Sequence, residues 1–151
     1  MDKIYLNDLT IGTTWTSREH TLTEADIIEF AQQYDPQPFH TDPERAKDSF
    51  FGTLVSSGWQ TACLTMRLMV ETIPIATGLI GASGSVKWGR PTYPNDRIHV
   101  VAKVVDIKRS TSKPNQGIVT VQIHTINQDG EFAQQFTCNM LAFDRPEGDV
   151  K

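Results

Sequence analysis

Ser57-Gly58-Trp59-Gln60-Thr61-Ala62-Cys63-Leu64-Thr65-Met66-Arg67-Leu68-Met69-Val70-Glu71-Thr72-Ile73 is the longest helical pattern in the chain. Apolar side chains recur every three or four residues, at Trp59, Ala62, Cys63, Met66, Met69, Val70 and Ile73. That period is the mark of one helix face. Leu64 and Leu68 widen the stripe, and a helix apolar on so many sides is expected to be surrounded by protein. Ser57-Gly58 opens the pattern and Pro74 stops it, because proline cannot continue a helix.

The material to surround it lies downstream. Leu79 to Trp88 reads as a strand weakened by Gly81 and Gly84. The stretch from Pro91 to Asp96 reads as a turn. Arg97 to Arg109 alternates Ile98, Val100, Ala102 and Val104 on one face, with Val101, Val105 and Ile107 on the other, so cover on both sides is expected. Ile118 to Asn127 is a third strand, Asn127-Gln128-Asp129-Gly130 a hairpin turn, and Phe132, Phe136, Cys138 and Met140 alternate with Gln and Asn in a fourth.

Upstream, residues 1–12 look irregular or extended, and Thr14 to Thr21 reads as one strand with Trp15 its main apolar side chain. Thr23 offers an N-cap, with Glu24 and Asp26 in the first turn. The helix that follows carries Ile27, Phe30, Ala31 and Tyr34 on one face, which makes Tyr34 a core residue, and Pro36 ends it. Asp42-Pro43 is a second start signal, for a short helix to about Asp48. This order of elements is α+β. A curved antiparallel sheet wrapped around a long buried central helix, a hot-dog fold, satisfies it as a single domain spanning 1–151.

The bulk composition narrows the partners. Fourteen basic and eighteen acidic residues give a formal charge of -4, and no Lys/Arg run exceeds two. A nucleic-acid partner is therefore not expected. The polar start Met1-Asp2-Lys3-Ile4 lacks the apolar core of a signal peptide, and no apolar stretch reaches membrane-span length. A cytoplasmic protein is expected, with Cys63 and Cys138 as free, buried thiols and Met66, Met69 and Met140 as core filler. Cysteine spacing of the zinc type is absent.

The chemistry is concentrated in Asp35-Pro36-Gln37-Pro38-Phe39-His40. A carboxylate and an imidazole five positions apart, with two prolines holding the backbone between them out of helix, offer acid–base groups on a stiff loop. Fully extended, such a segment spans roughly 17 Å, so the pair can share one water only if the loop bends back. Each residue also has a structural reading. Asp35 can close the first helix, His40 can be a satisfied loop histidine, Ser57 can be an N-cap, and Gly58 can serve close packing. Asp42 is assigned mainly to capping. Arg67, Lys87, Arg90 and Arg109 are unranked candidates for holding phosphates.

Asp35-x-x-Pro38-x-His40-x-Asp42, then Ala46, Phe51-Gly52 and Ser57-Gly58, resembles the MaoC-like dehydratases and (R)-specific enoyl-CoA hydratases, and the stretch Trp88 to Asp96 looks like their turn between two sheet strands. The resemblance implies a hot-dog fold and reversible addition of water to a trans-2-enoyl-CoA thioester, with coenzyme A as part of the substrate and no separate cofactor or metal. It implies that Asp35 and His40 hold and activate the water, and that the backbone N–H of Gly58 binds the thioester carbonyl, with Ser57 as a possible substrate contact. It also implies a homodimer or a larger assembly of dimers. The family pattern usually has Gly before the aspartate and Asn two residues after it, where this chain has Tyr34 and Gln37. A hot-dog thioesterase is the alternative reaction, although the central helix offers only Glu71 as a carboxylate. A non-catalytic acyl-thioester-binding protein is the third reading.

Overall fold

The computed structural model describes residues 2–149. Met1, the first residue of the expected polar start, and residues 150–151, the end of the expected domain, lie outside them. The elements run as a 3-10 turn at Leu6–Asp8, strands β1 (Thr14–Thr16) and β2 (His20–Thr21), helices α1 (Glu24–Tyr34), α2 (Pro38–Thr41), α3 (Pro43–Ala46) and α4 (Gly58–Thr72), then strands β3 (Ile80–Lys87), β4 (Arg97–Arg109), β5 (Gln116–Ile126) and β6 (Phe132–Phe143).

All strand pairs are antiparallel, in the order β1-β4-β5-β6-β3, with β2 also on β4. The helix α4 lies against the concave sheet, and this is the hot-dog arrangement. Leu68 and Met69 of α4, with Ile73 just after it, meet Ile98, Val100, Ala102 and Val104 of β4, Val119, Val121 and Ile123 of β5, and Cys138, Met140 and Ala142 of β6. Period-2 alternation along β4 and β5 supplies one buried face, which is why these strands wrap the helix. A second, smaller cluster joins Leu22, Ile27, Ala46 and Leu54, with Phe39 and Leu64 against it. It anchors the segment from α2 to the start of α4, and so the site, to α1.

Several expectations are corrected. The strand expected over residues 14–21 breaks into β1 and β2, each paired to β4, with Ser17 between them accepting Val100 N–H and donating its own N–H to Val100 O. Pro38 does not only break helix: as the first residue of α2 it starts a helical turn, because its fixed φ suits that position. The third helix ends at Ala46 rather than Asp48. Tyr34 is not core; it is 71 % exposed, with its ring 5.1 Å from that of Phe30. The outer face of β4 is not covered at Val105, where the ladder to β5 shifts register.

The largest correction concerns α4. The sheet covers one side of it, while Trp59, Cys63, Met66 and Val70 form an exposed stripe along the other. Cys63 is thus a free, exposed thiol, and only Cys138 is a buried one. Met66 is likewise surface in a single chain, whereas Met69 and Met140 fill the core as expected.

Candidate active site

Four short pieces of chain converge at the amino end of α4. The helix α1 ends on Asp35, whose N–H closes the helix on Ala31 O at 2.9 Å. Pro36 forbids another turn, and Gln37 is extended. Gln37 O then accepts the N–H groups of His40 and Thr41, so the chain doubles back within one helical turn. The segment before α4 runs past this turn, with Val55 N–H bonded to Phe39 O at 3.0 Å. On its other side Ser56 N–H bonds Thr92 O at 2.8 Å, tying in the turn between β3 and β4.

This bend brings His40 Nε2 to 3.3 Å from Asp35 Oδ2. His40 is 6 % exposed, and its Nδ1 lies 2.7 Å from Val55 O. A carbonyl can only accept, so Nδ1 carries a hydrogen and donates it. That assignment leaves Nε2, the atom facing Asp35, as the nitrogen that can exchange a proton. Ser57 Oγ donates to Asp35 Oδ2 at 2.7 Å, and Gln37 Nε2 donates to Asp35 Oδ1 at 2.6 Å. Burial pushes the Asp35 carboxyl upward, but the bonds from Ser57 and Gln37 and the attraction to His40 outweigh it, and the group sits below its ordinary value. Gln37, one methylene longer than the asparagine of the family pattern, therefore reaches the carboxylate directly.

Ser57 does two jobs. Its oxygen accepts from Trp59 N–H at 3.3 Å as the N-cap of α4 while its hydrogen goes to Asp35. Asp42 caps α3 as expected, accepting from Glu44 and Arg45 N–H groups. Gly58 begins α4, and its N–H finds no acceptor among the described residues. The physical demand for glycine comes from Trp88: a Cβ at position 58 would stand 2.7 Å from the indole ring. Trp88 is held there by its Nε1–H, which donates to the buried Gln134 Oε1 at 3.0 Å, and by an edge contact with Trp59.

Beside these groups opens a cavity of about 380 Å³ whose wall includes His40, Val55, Gly58, Thr61, Trp88 and Thr92. Phe50, Phe51 and Arg90 also line it. Nothing local in the sequence marks Phe50, Thr61 or Trp88 as wall residues: only the fold brings Phe50 and Trp88 to the start of α4, where Thr61 lies one turn from Gly58. Of the basic candidates, Arg90 alone lies on this cavity, ion-paired with Glu131. Arg67 is tied to Glu71, and Arg109 to Asp144. Glu71 itself, at the far end of α4, is held by Arg18 and Arg67 and drawn down to about 2.

This geometry gives a carboxylate placed to accept a proton, an imidazole that can pass one on, and, at a helix N-terminus where negative charge is favoured, an amide without an acceptor among the described residues. The chain matches the model of the MaoC-like domain family over residues 8–127. Its structure is similar to that of a MaoC-like dehydratase from Rhodospirillum rubrum, with 45 % identity, 95 % of this chain and 99 % of that one covered, and a TM-score of 0.93. It is 29 % identical over 125 residues to the uncharacterized protein YdeM of Bacillus subtilis, covering 82 % of this chain and 87 % of that protein. The (R)-hydratase PhaJ1 from Pseudomonas aeruginosa, 18 % identical with a TM-score of 0.75 over 99 % of this chain and 94 % of that one, shares the fold. With the domain model spanning most of its length, the chain belongs to the MaoC-like domain family.

Proposed function

We propose that the protein is a hydro-lyase that adds water to trans-2-enoyl-CoA thioesters and, in reverse, dehydrates 3-hydroxyacyl-CoA. The observation that carries this reading is the Asp35–His40 contact of 3.3 Å, stiffened by Ser57, at the mouth of α4, where Gly58 N–H has no acceptor among the described residues. In the hydration direction Asp35 takes a proton from a water, whose oxygen bonds the β-carbon of the enoyl group. The π electrons move onto the thioester oxygen, which Gly58 N–H and the helix dipole stabilise. His40 Nε2–H protonates the α-carbon, and the proton on Asp35 then crosses to Nε2 to restore the pair. Net, one water is added, and the reaction calls for neither metal nor separate cofactor.

Thioester hydrolysis is the poorer reading, because Glu71, the carboxylate on α4, is neutralised by two guanidinium groups away from the cavity. Coenzyme A is the carrier we assign, with Arg90 first among the residues to meet its phosphates. The two free cysteines suit the reducing cytoplasm. Among the described residues no helix is long and apolar enough to cross a membrane.

A homodimer completes the proposal. The exposed stripe of Trp59, Cys63, Met66 and Val70 and the open edge of β3 are surfaces a second copy would cover. The purified protein is expected to sediment as a dimer at micromolar concentration, and a monomer would refute that part. For the activity, incubation with crotonyl-CoA and longer enoyl-CoAs should bleach the conjugated absorbance without releasing free thiol. Thiol release would establish the thioesterase instead, and silence across the panel a binding protein.

A further inference from the structure

The cavity that starts at Gly58 is floored by hydroxyls. Ser56, Thr61 and Thr92 line it, and Thr61 and Thr92 are each only 3 % exposed. Ser56 is committed, since its Oγ–H donates to Gln60 Oε1 at 2.8 Å. Thr61 Oγ1 and Thr92 Oγ1 lie 3.3 Å apart and share one hydrogen bond. That is long for two hydroxyls, which prefer about 2.7–2.8 Å. Two hydroxyls bring two hydrogens, and their mutual bond uses one. The remaining O–H has no acceptor among the described residues. A floor meant for an alkyl chain alone would be better built from valine, which has the same shape and no hydrogen bond to leave unmade.

We propose that Thr61 and Thr92 select the substrate: a short 2-enoyl thioester bearing a neutral oxygen, a hydroxyl or keto group, a few carbons beyond the double bond. This rests on the hydratase reading above. Gly58 and Thr61 are three residues apart on one face of α4, about 4.5 Å along its axis. An acyl chain whose carbonyl sits at Gly58 and which follows the helix inward therefore meets the threonine pair after a few carbons. There the spare O–H donates to the guest oxygen, and a guest hydroxyl can donate back to the second threonine. The oxygen is neutral because no cation stands at the floor. Arg90, the permanent cation of the lining, is half exposed and already paired with Glu131, and the His40 ring is committed to Asp35 and Val55 O, so a carboxylate buried at the threonines would lack a counter-charge.

The test compares trans-2-hexenoyl-CoA with its 5-hydroxy derivative. Wild type should show kcat/KM roughly tenfold higher for the hydroxylated thioester, the scale of one net hydrogen bond. Thr92→Val and Thr61→Val should each erase the preference, while Thr92→Ser, which keeps the O–H, should retain it. The saturated pair, hexanoyl-CoA and 5-hydroxyhexanoyl-CoA, reads the same preference by calorimetric binding with no chemistry involved. Equal kcat/KM and equal Kd across both pairs in wild type would overturn the inference, as would an undiminished preference in a well-folded Thr92→Val variant. Absence of turnover with the binding preference intact would leave it standing and remove the hydratase reading instead.

Discussion

Asp35 and Glu71 stand at opposite ends of α4, and the same helix treats them oppositely. Both carboxylates accept two sets of hydrogen bonds and both lie below their ordinary values. Asp35 is beside the amino end, where the helix dipole favours an anion, and its donors are the neutral Ser57 and Gln37. Glu71 is in the last turn, where the dipole opposes an anion, and two guanidinium groups hold it, Arg18 at 2.8 Å and Arg67 at 2.9 Å. Full positive charges cancel a carboxylate's appetite for a proton; neutral donors orient it and leave the charge to act. A carboxylate's place relative to a helix end thus sorts the reactive group from the structural one.

The sharpest break of this comparison removes each charge in turn. Asp35→Asn should lower the hydration rate at least ~100-fold, as should His40→Ala, the usual cost of losing an acid–base group. Glu71→Gln should keep the rate within about twofold, on the scale of an ordinary surface change. Steady-state kinetics with crotonyl-CoA decide it, and similar losses in Asp35→Asn and Glu71→Gln would erase the distinction.

Next comes the helix start itself. Gly58→Ala puts a methyl 2.7 Å from the Trp88 ring, so either the indole or the start of α4 must shift. Overpacking of this kind costs about 1–3 kcal/mol, and the melting temperature should fall accordingly. Combining it with Trp88→Ala, which empties the space, should return part of that loss. If Gly58→Ala alone melts like wild type, the close packing assigned to Trp88 is wrong.

How much of this was legible from the residues alone depends on the distance over which the signal acts. The helix α4 was legible because its 3.6-residue period lies in one stretch, but a periodic stripe reports which side chains are apolar, not what covers them. Trp59, Cys63, Met66 and Val70 belong to the same pattern as Met69 and Ile73 and yet face outward in a single chain. Asp35 and His40 were legible as a pair because the proline spacing is local, though Pro38 read as a breaker when it is the first residue of α2. Trp88 over Gly58 was not, since thirty positions separate them and only the fold closes that gap. The polar core was hidden as well. Gln134 is polar yet stands in phase with Phe136, Cys138 and Met140 of β6, and it is buried, donating to Thr65, whose hydroxyl lies 2.6 Å from that of Thr125. The two-residue period puts Gln134 inward while its polarity reads outward, and a buried network of satisfied polar groups is what reconciles the two.

The neutral donors on Asp35 can be separated from its charge through pH. Gln37→Leu removes the bond to Oδ1, one of the causes holding the carboxyl low, while burial continues to push it up. A higher pKa means that Asp35 protonates, and ceases to be a base, at a higher pH. The acid limb of the kcat/KM profile should therefore move upward in Gln37→Leu, with a smaller loss at the plateau than Asp35→Asn shows. An acid limb in the same place as wild type would mean that Gln37 does not tune this group.

The smallest effect is at Glu71, and it appears in stability rather than rate. Its folded value of about 2 lies below the ordinary 4.5, so the folded state binds its proton less readily than the unfolded chain does. The contribution is then fully present above about pH 4.5 and drains away as pH falls toward 2. Melting curves of wild type and Glu71→Gln should differ slightly at neutral pH and converge across that window. Because Arg18 and Arg67 are largely exposed, the difference should also shrink in high salt. A gap that persists at pH 2 or is indifferent to salt would mean that packing, not charge, ties the end of α4 to the segment carrying Arg18. The contrast between the two helix ends would then rest on Asp35 alone.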